Sequence, residues 1–242
     1  MIVNAAPEGW EVIFQRAHEL LAMQTASFWQ QQQRPVRWHE LLSAITEHDN
    51  QQESWKGQNH LTASGAPQDF SMKGFSLSQA RAVTEVSQYK SRYVSLLISM
   101  HTSYLYEPLR GKDKATDQFL DDQQALQQRL LQSLKLSRAA AAKAYNLLQW
   151  ADRCSLILCK NQLPADERRL EVFKDTEGQT YFIWQRKDKS LGVEPWPFQE
   201  VEFKVWVERR LLKQLQFKDD GELAKALAAT EVEEKEWVFR RQ

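Results

Sequence analysis

The stretch Trp38-His39-Glu40-Leu41-Leu42-Ser43-Ala44-Ile45-Thr46-Glu47-His48-Asp49 sets the reading of this chain. Trp38, Leu41, Leu42, Ile45 and His48 recur at helical steps, the spacing that gathers side chains on one face of an α-helix. A helix over about 37–48 is predicted, and it carries an imidazole on the face that its apolar residues turn to the core. Asp49 adds a carboxylate beside that imidazole.

Outward from this stretch, the helical pattern repeats. Ala17, Leu20, Leu21, Phe28 and Trp29 predict a helix over about 15–30 that includes His18, preceded by strand-like segments at Met1 to Val3 and Trp10 to Phe14. Residues 50–78 show little periodicity and much turn chemistry: Lys56-Gly57, Ser64-Gly65-Ala66-Pro67 and Lys73-Gly74. A loop of nearly thirty residues far exceeds the usual length of about 4–6, and long loops tend to cover active or binding sites. Ser78 is expected to cap a long helix over about 79–107, with Val83, Val86, Tyr93, Val94, Leu97, Met100, His101 and Leu105 on one stripe. A Gln-rich helix over 116–134 and an Ala-rich helix over 137–159 follow, the latter with Asp152 near its end.

The texture changes near Leu163-Pro164-Ala165-Asp166. Beyond it, Leu170 to Phe173, Tyr181 to Trp184 and Val201 to Val207 alternate in strand fashion, and a short helix (221–229) and a last strand (235–240) finish the pattern. Between the strands, the prolines of Pro195-Trp196-Pro197-Phe198 hold aromatics on an irregular segment. The expected architecture is mainly α, a helical bundle over 1–163, with a small antiparallel β-rich region over 164–242.

Composition narrows the function. The 242 residues carry 32 Lys and Arg against 32 Asp and Glu, a formal net charge of zero. That balance argues against nucleic acid as a partner, because such binding draws on surplus cations that neutralise phosphates. No apolar run approaches the ~20 residues of a membrane span, so no membrane partner is expected. The start, Met1-Ile2-Val3-Asn4, lacks the pattern of a secretory signal, and a cytoplasmic location is expected. Cys154 and Cys159, five apart, fall about 140° apart on a helical wheel, which suits neither a disulfide nor shared ligation. They read as buried reduced thiols.

The chemistry-bearing residues stand out because they interrupt apolar stripes. His18, His48 with Asp49, His101 and Asp152 each lie on or at the end of a different helix. Singly, each is explained as a hydrogen-bonded core residue. Together they can build a metal site inside a bundle, and burying so many ionisable groups is costly without a cation or mutual pairing. A mixed imidazole and carboxylate shell suits a divalent metal, Mn, Fe, Zn or Mg, with a position left for water that becomes a hydroxide nucleophile. No Gly-rich phosphate loop, Gly-x-Ser-x-Gly elbow, His-Glu-x-x-His or Cys-x-x-Cys motif competes. His39 belongs to the more exposed flank of its helix, and His60 to the long loop, where it either is solvated or closes over a ligand.

The order His18, His48-Asp49, Asp152 resembles the metal-binding pattern of the HD-domain phosphohydrolases. That resemblance implies an HD-like bundle in which these four residues hold a divalent metal that activates water against a phosphoester. A second resemblance covers almost the whole chain. Met1-Ile2-Val3, Gln15 followed by His18, Glu47-His48-Asp49-Asn50 with Trp55, Gly65-Ala66-Pro67 with Phe70, Ser99-Met100-His101 with Leu105-Tyr106, Asp152-Arg153-Cys154-Ser155-Leu156 with Cys159, and Pro195-Trp196-Pro197-Phe198 are similar to the family of unknown function DUF3891. It implies a shared site and not a reaction. In that family Gly and Trp closely follow the His-Asp doublet, whereas here Asn50 to Ser54 intervene before Trp55.

The expected function is a metal-dependent hydrolase acting on a small phosphorylated or otherwise anionic molecule. His18, His48, Asp49, Asp152 and His101 are its metal-site residues. Asp49 and His101 are its catalytic candidates, with His101 either a second-metal ligand or a general acid/base. Gln15, Trp55 and His60 are expected to line the substrate pocket, with 50–78 as a lid. Two alternatives stay open: an iron-dependent oxidase-type site, which usually shows Glu-x-x-His pairs that are missing here, and a non-enzymatic ligand-binding or sensing module.

Overall fold

The computed structural model describes residues 1–49 and 59–241. Two strands, β1 (Ile2–Ala6) and β2 (Gly9–Ile13), open the chain and lead into α1 (Gln15–Ser27) and α2 (Trp38–Ile45). Four further helices, α3 (Leu77–Gln88), α4 (Arg92–Tyr106), α5 (Lys114–Leu134) and α6 (Arg138–Cys159), complete the helical layer. Then come β3 (Leu170–Lys174), β4 (Thr180–Gln185), β5 (Leu191–Glu194), β6 (Glu202–Leu212), α7 (Asp220–Ala229) and β7 (Val232–Arg240).

The seven strands form one sheet in the order β1-β2-β6-β7-β5-β4-β3. Neighbours are antiparallel except β5 and β7, which meet in parallel at Leu191 and Phe239. The sheet curls into a half-barrel, and the chain is 47% helix and 21% strand. This corrects the expected mainly-α, HD-like helical bundle with a small antiparallel region: the fold is α+β, built on a mixed sheet. The opening hairpin is the main reason. Ile2, Val12 and Ile13 are buried, and β2 pairs with the far end of β6 through Trp10 with Leu212 and Val12 with Arg210. Gly9 permits this join, since its φ is +147° and a Cβ there would lie 1.9 Å from the Leu212 carbonyl oxygen.

The second reason is β7, which begins three residues before the expected last strand of 235–240 and lies in the same seven-stranded sheet as the opening hairpin. It pairs with β6 over its whole length, and cross-strand ion pairs match the charges: Lys204 with Glu236 at 3.3 Å, Arg209 with Glu233 at 3.0 Å and Arg240 with Glu202 at 2.6 Å. One core cluster joins both layers, with Leu21, Ile45, Leu97 and Leu148 from the helices beside Ile13, Ile183 and Phe239 from the sheet. That core includes residues on either side of position 163.

Two local features place the site. The expected helix over 79–107 is two helices, because Ser91 caps α4 by accepting from Val94 N, as Ser76 caps α3 from Gln79 N. Helix α2 stops at Ile45, so His48 and Asp49 lie in the turn that follows it. Phe198 is buried among Trp29, Trp150, Phe203 and Phe239, which makes the Pro195 to Phe198 segment part of the core. Among the described residues no helix is long and apolar enough to cross a membrane.

Candidate metal centre

Helix α1 turns an unusually polar face inward. Gln15, His18 and Glu19 are buried while Leu20 is 54% exposed. His18 sits one turn from the start of the helix, where its Nδ1 donates to the carbonyl of Gln15. The turn after α2 repeats the arrangement, with His48 Nδ1 donating to the Ile45 carbonyl at 2.7 Å. A carbonyl only accepts, so both rings carry a proton on Nδ1, and in the neutral form of either ring Nε2 is a bare acceptor.

Those two Nε2 atoms face each other at 3.3 Å. Asp152, from the inward side of α6, brings its Oδ1 to 3.2 Å from His48 Nε2 and 3.5 Å from His18 Nε2. Asp49 Oδ2 lies 3.8 Å from His18 Nε2 and accepts from Gln15 Nε2 at 3.1 Å. Helix α4 adds His101, whose ring centroid is 5.0 Å from that of His48 and whose Nδ1 lies 3.4 Å from Tyr145 Oη. Two groups of possible ligand atoms result, His18 with His48 and Asp49, and His48 with His101 and Asp152, each with its atoms within 4.8 Å of one another. His18, His48 and His101 are buried.

Two bare acceptors and a carboxylate at these distances repel one another unless a positive charge lies among them. Two ligands each about 2.1 Å from one ion are about 3.0–3.4 Å apart at octahedral to tetrahedral angles, close to the spacings found between His18, His48 and Asp152. The donor set therefore fits a divalent cation. Without one, a proton takes the place. Burial opposes charge on His48, but Asp152, by attraction and hydrogen bonding, and then Asp49 and Glu19 outweigh it and raise the ring's pKa to about 10. Burial likewise opposes charge on Asp152, yet His48 and the hydrogen bonds of His18 and His48 hold its carboxyl well below the usual range. His101 moves the other way, down to about 4, through burial and then the His48 charge.

A cleft of about 320 Å³ opens onto the centre, lined by Asp49, His101 and Asp152 together with His60, Lys73 and Gln79. His60 is buried there, with its backbone N–H on Asp220 Oδ1 at 2.9 Å. All five expected metal-site residues thus converge, Gln15 braces Asp49, and His60 lines the same cleft. Trp55, the remaining pocket candidate, falls outside the described residues. His39 is exposed on α2.

Residues 1–214 match the family DUF3891, described as a protein of unknown function. The chain belongs to that family. The match ends before α7 and β7, so it takes in the whole centre and all but the last strand of the sheet. No curated protein and no solved structure matches the chain, and these comparisons do not extend to the HD-domain phosphohydrolases.

Three further residues belong to the centre. Glu19 is 2% exposed, its Oε1 meets no hydrogen-bond donor among the described residues, and burial raises its carboxyl pKa to about 8, with the Asp49 charge adding to the rise. Tyr145 holds His101, and burial pushes its phenol well above the usual range. Tyr106 lines the cleft, its phenol pushed up to about 12 by burial and by Asp49. A signal for Tyr145 was present, since it precedes Asp152 by seven residues, two turns along one face of α6. Cys154 is buried and unpaired, and burial raises its thiol far above the nucleophilic range.

Proposed function

We propose that this protein is a metal-dependent hydrolase of a small anionic substrate, with His18, His48, Asp49 and Asp152 as the residues that hold a divalent cation. One observation carries the reading: the bare Nε2 atoms of His18 and His48 face each other at 3.3 Å with Asp152 Oδ1 beside both. When bound there, such a cation supplies Lewis acidity and a water of lowered pKa.

The chain's own residues do the rest. The Gln15 and Ile45 carbonyls fix both imidazoles in the tautomer that leaves Nε2 available. Gln15 Nε2 orients Asp49. His101 is a neutral imidazole beside the centre, anchored through Nδ1 to Tyr145, and its Nε2 serves as ligand or proton acceptor. The three imidazoles are buried, while Asp49, His101 and Asp152 line the cleft by which a substrate would reach the centre.

The test is elemental analysis of the purified protein, joined to a phosphate-release screen over small phosphomonoesters and diesters. A divalent metal near one per chain, lost in His48→Ala and Asp152→Asn together with hydrolysis, is the expected result. Protein that carries no metal, and whose unfolding temperature does not move with Mn, Fe, Zn or Mg, overturns the proposal.

A further inference from the structure

The wall of the cleft that the metal reading leaves unexplained lies on the segment leading into α3. Lys73 and Gln79 line the cleft together with Asp49, His101 and Asp152. Lys73 is an exposed residue of this lining and Gln79 a half-buried one, and neither side chain makes a hydrogen bond or ion pair among the described residues. Nearby Lys160 differs, since its Nζ lies 3.4 Å from Asp69 Oδ1 and 3.3 Å from Ser71 Oγ.

Charge balance then says what this wall meets. Asp49 and Asp152 bring two negative charges to the cleft, and a divalent cation among them leaves that end close to neutral. Lys73 then remains as the lysine of a lining that also holds the Met1 amino group, whose pKa burial and the Lys73 charge lower to about 6, and Gln79 is a neutral donor of the same lining. The volume of about 320 Å³ is within the range of small-molecule sites.

We infer that Lys73 and Gln79 recognise the oxyanion of a small phosphate ester, acting as specificity residues for the reaction proposed above, on which this inference rests. Lys73 supplies the charge-assisted hydrogen bond and Gln79 a second donor to the same group. Neither residue belongs to the two groups of possible ligand atoms, so metal content and substrate recognition are expected to separate.

That separation makes the test. Inorganic phosphate is titrated calorimetrically into the protein with its metal in place, for the wild type, Lys73→Met, Lys73→Arg and Gln79→Leu, while metal content and unfolding temperature are measured on the same samples. Lys73→Met is expected to weaken phosphate binding about tenfold or more, Gln79→Leu by a smaller factor, and Lys73→Arg to restore most of the affinity, with metal content constant throughout. Equal phosphate affinity in the wild type and Lys73→Met, or no phosphate binding by the metal-loaded wild type, overturns this inference and leaves the metal reading standing. A wild type that takes up no metal overturns both.

Discussion

His48 Nε2 lies 3.2 Å from Asp152 Oδ1, although 104 residues separate the two in the chain. In the metal-free protein this contact is an ion pair, because the ring's pKa is raised to about 10 and the carboxyl's lies well below its usual range. A cation needs the same Nε2 lone pair that the proton occupies, so binding must expel the proton. Calorimetric titration with Mn in two buffers of different ionisation enthalpy should report about one proton released per ion near pH 7. Apparent affinity should rise about tenfold per pH unit below pH 10. Uptake without proton release would mean that His48 is not a ligand.

The same pair sets how metal-free stability depends on pH. His48 has a folded pKa above its unfolded 6.5, so its contribution is full below pH 6.5 and is lost as pH rises through about 10. Asp152 has a folded pKa below its unfolded 3.8, so its contribution is full above that value and is lost as pH falls. Metal-free protein should therefore unfold more readily above pH 7 than between pH 4 and 6.5, and Asp152→Asn should flatten both limbs at a cost of about 3–5 kcal/mol near neutrality. Urea denaturation after chelation, repeated across pH, checks the shape. A wild-type curve indistinguishable from that of Asp152→Asn would contradict the pairing.

Glu19 works against the fold. Burial raises its carboxyl pKa from 4.5 to about 8, so it weakens the folded state progressively as pH climbs through that interval. Glu19→Gln keeps the shape and removes the charge. It should leave the unfolding temperature of metal-free protein unchanged at pH 4 and raise it by roughly 3–8 °C at pH 9. Scanning calorimetry at the two pH values decides the matter, and a loss of stability at pH 9 would assign Glu19 a favourable ion pair instead.

Much of this centre was legible in the sequence, and the illegible part has physical causes. His18, His48, His101 and Asp152 announced themselves by interrupting apolar stripes, and the structure brings them together. Glu19 did not, because the pattern favoured Leu20 as the inward residue, whereas α1 buries the carboxyl and exposes Leu20. The strands at both chain ends were legible, but not their union in one sheet, because β2 pairs with β6 far along the chain and β6 in turn with β7. Periodicity reports where apolar groups go, and neither a buried carboxyl nor the choice of strand partner shows in it.

The join between the two chain ends gives a direct test of the fold. Glu11 on β2 is 4% exposed and accepts from Lys235 at 2.8 Å, Arg209 at 3.0 Å, and Asn4 and Asn161 at 2.9 Å each. Burial opposes its charge, but the Lys235 and Arg209 contacts win and lower its pKa to about 2. Its contribution is full above pH 4.5 and is lost as pH falls through about 2. Glu11→Ala should cost about 3 kcal/mol at pH 7 by leaving Lys235 and Arg209 without their shared partner. The penalty should shrink toward pH 2. Lys235→Met should be less than additive with it in a double-mutant cycle, whereas additive effects would mean that β2 and β7 are not coupled through this carboxylate.

Tyr145 separates chemistry from metal binding. Its Oη lies 3.4 Å from His101 Nδ1, and its side chain is 8% exposed. It touches neither Asp152 nor His48 in any hydrogen bond among the described residues, so Tyr145→Phe should leave metal content and fold intact. What the variant removes is the partner that selects which nitrogen of His101 carries the proton and holds the ring against the centre. If His101 is a proton acceptor in hydrolysis, kcat should fall about 10- to 100-fold with KM nearly constant, and the acid limb of the pH profile should move, since that limb reports the acceptor's pKa. A purely packing role predicts a lower unfolding temperature and an unmoved profile. Should Tyr145→Phe instead lose metal, His101 would have to be counted among the ligands, and the proton would have to leave by another group on the cleft.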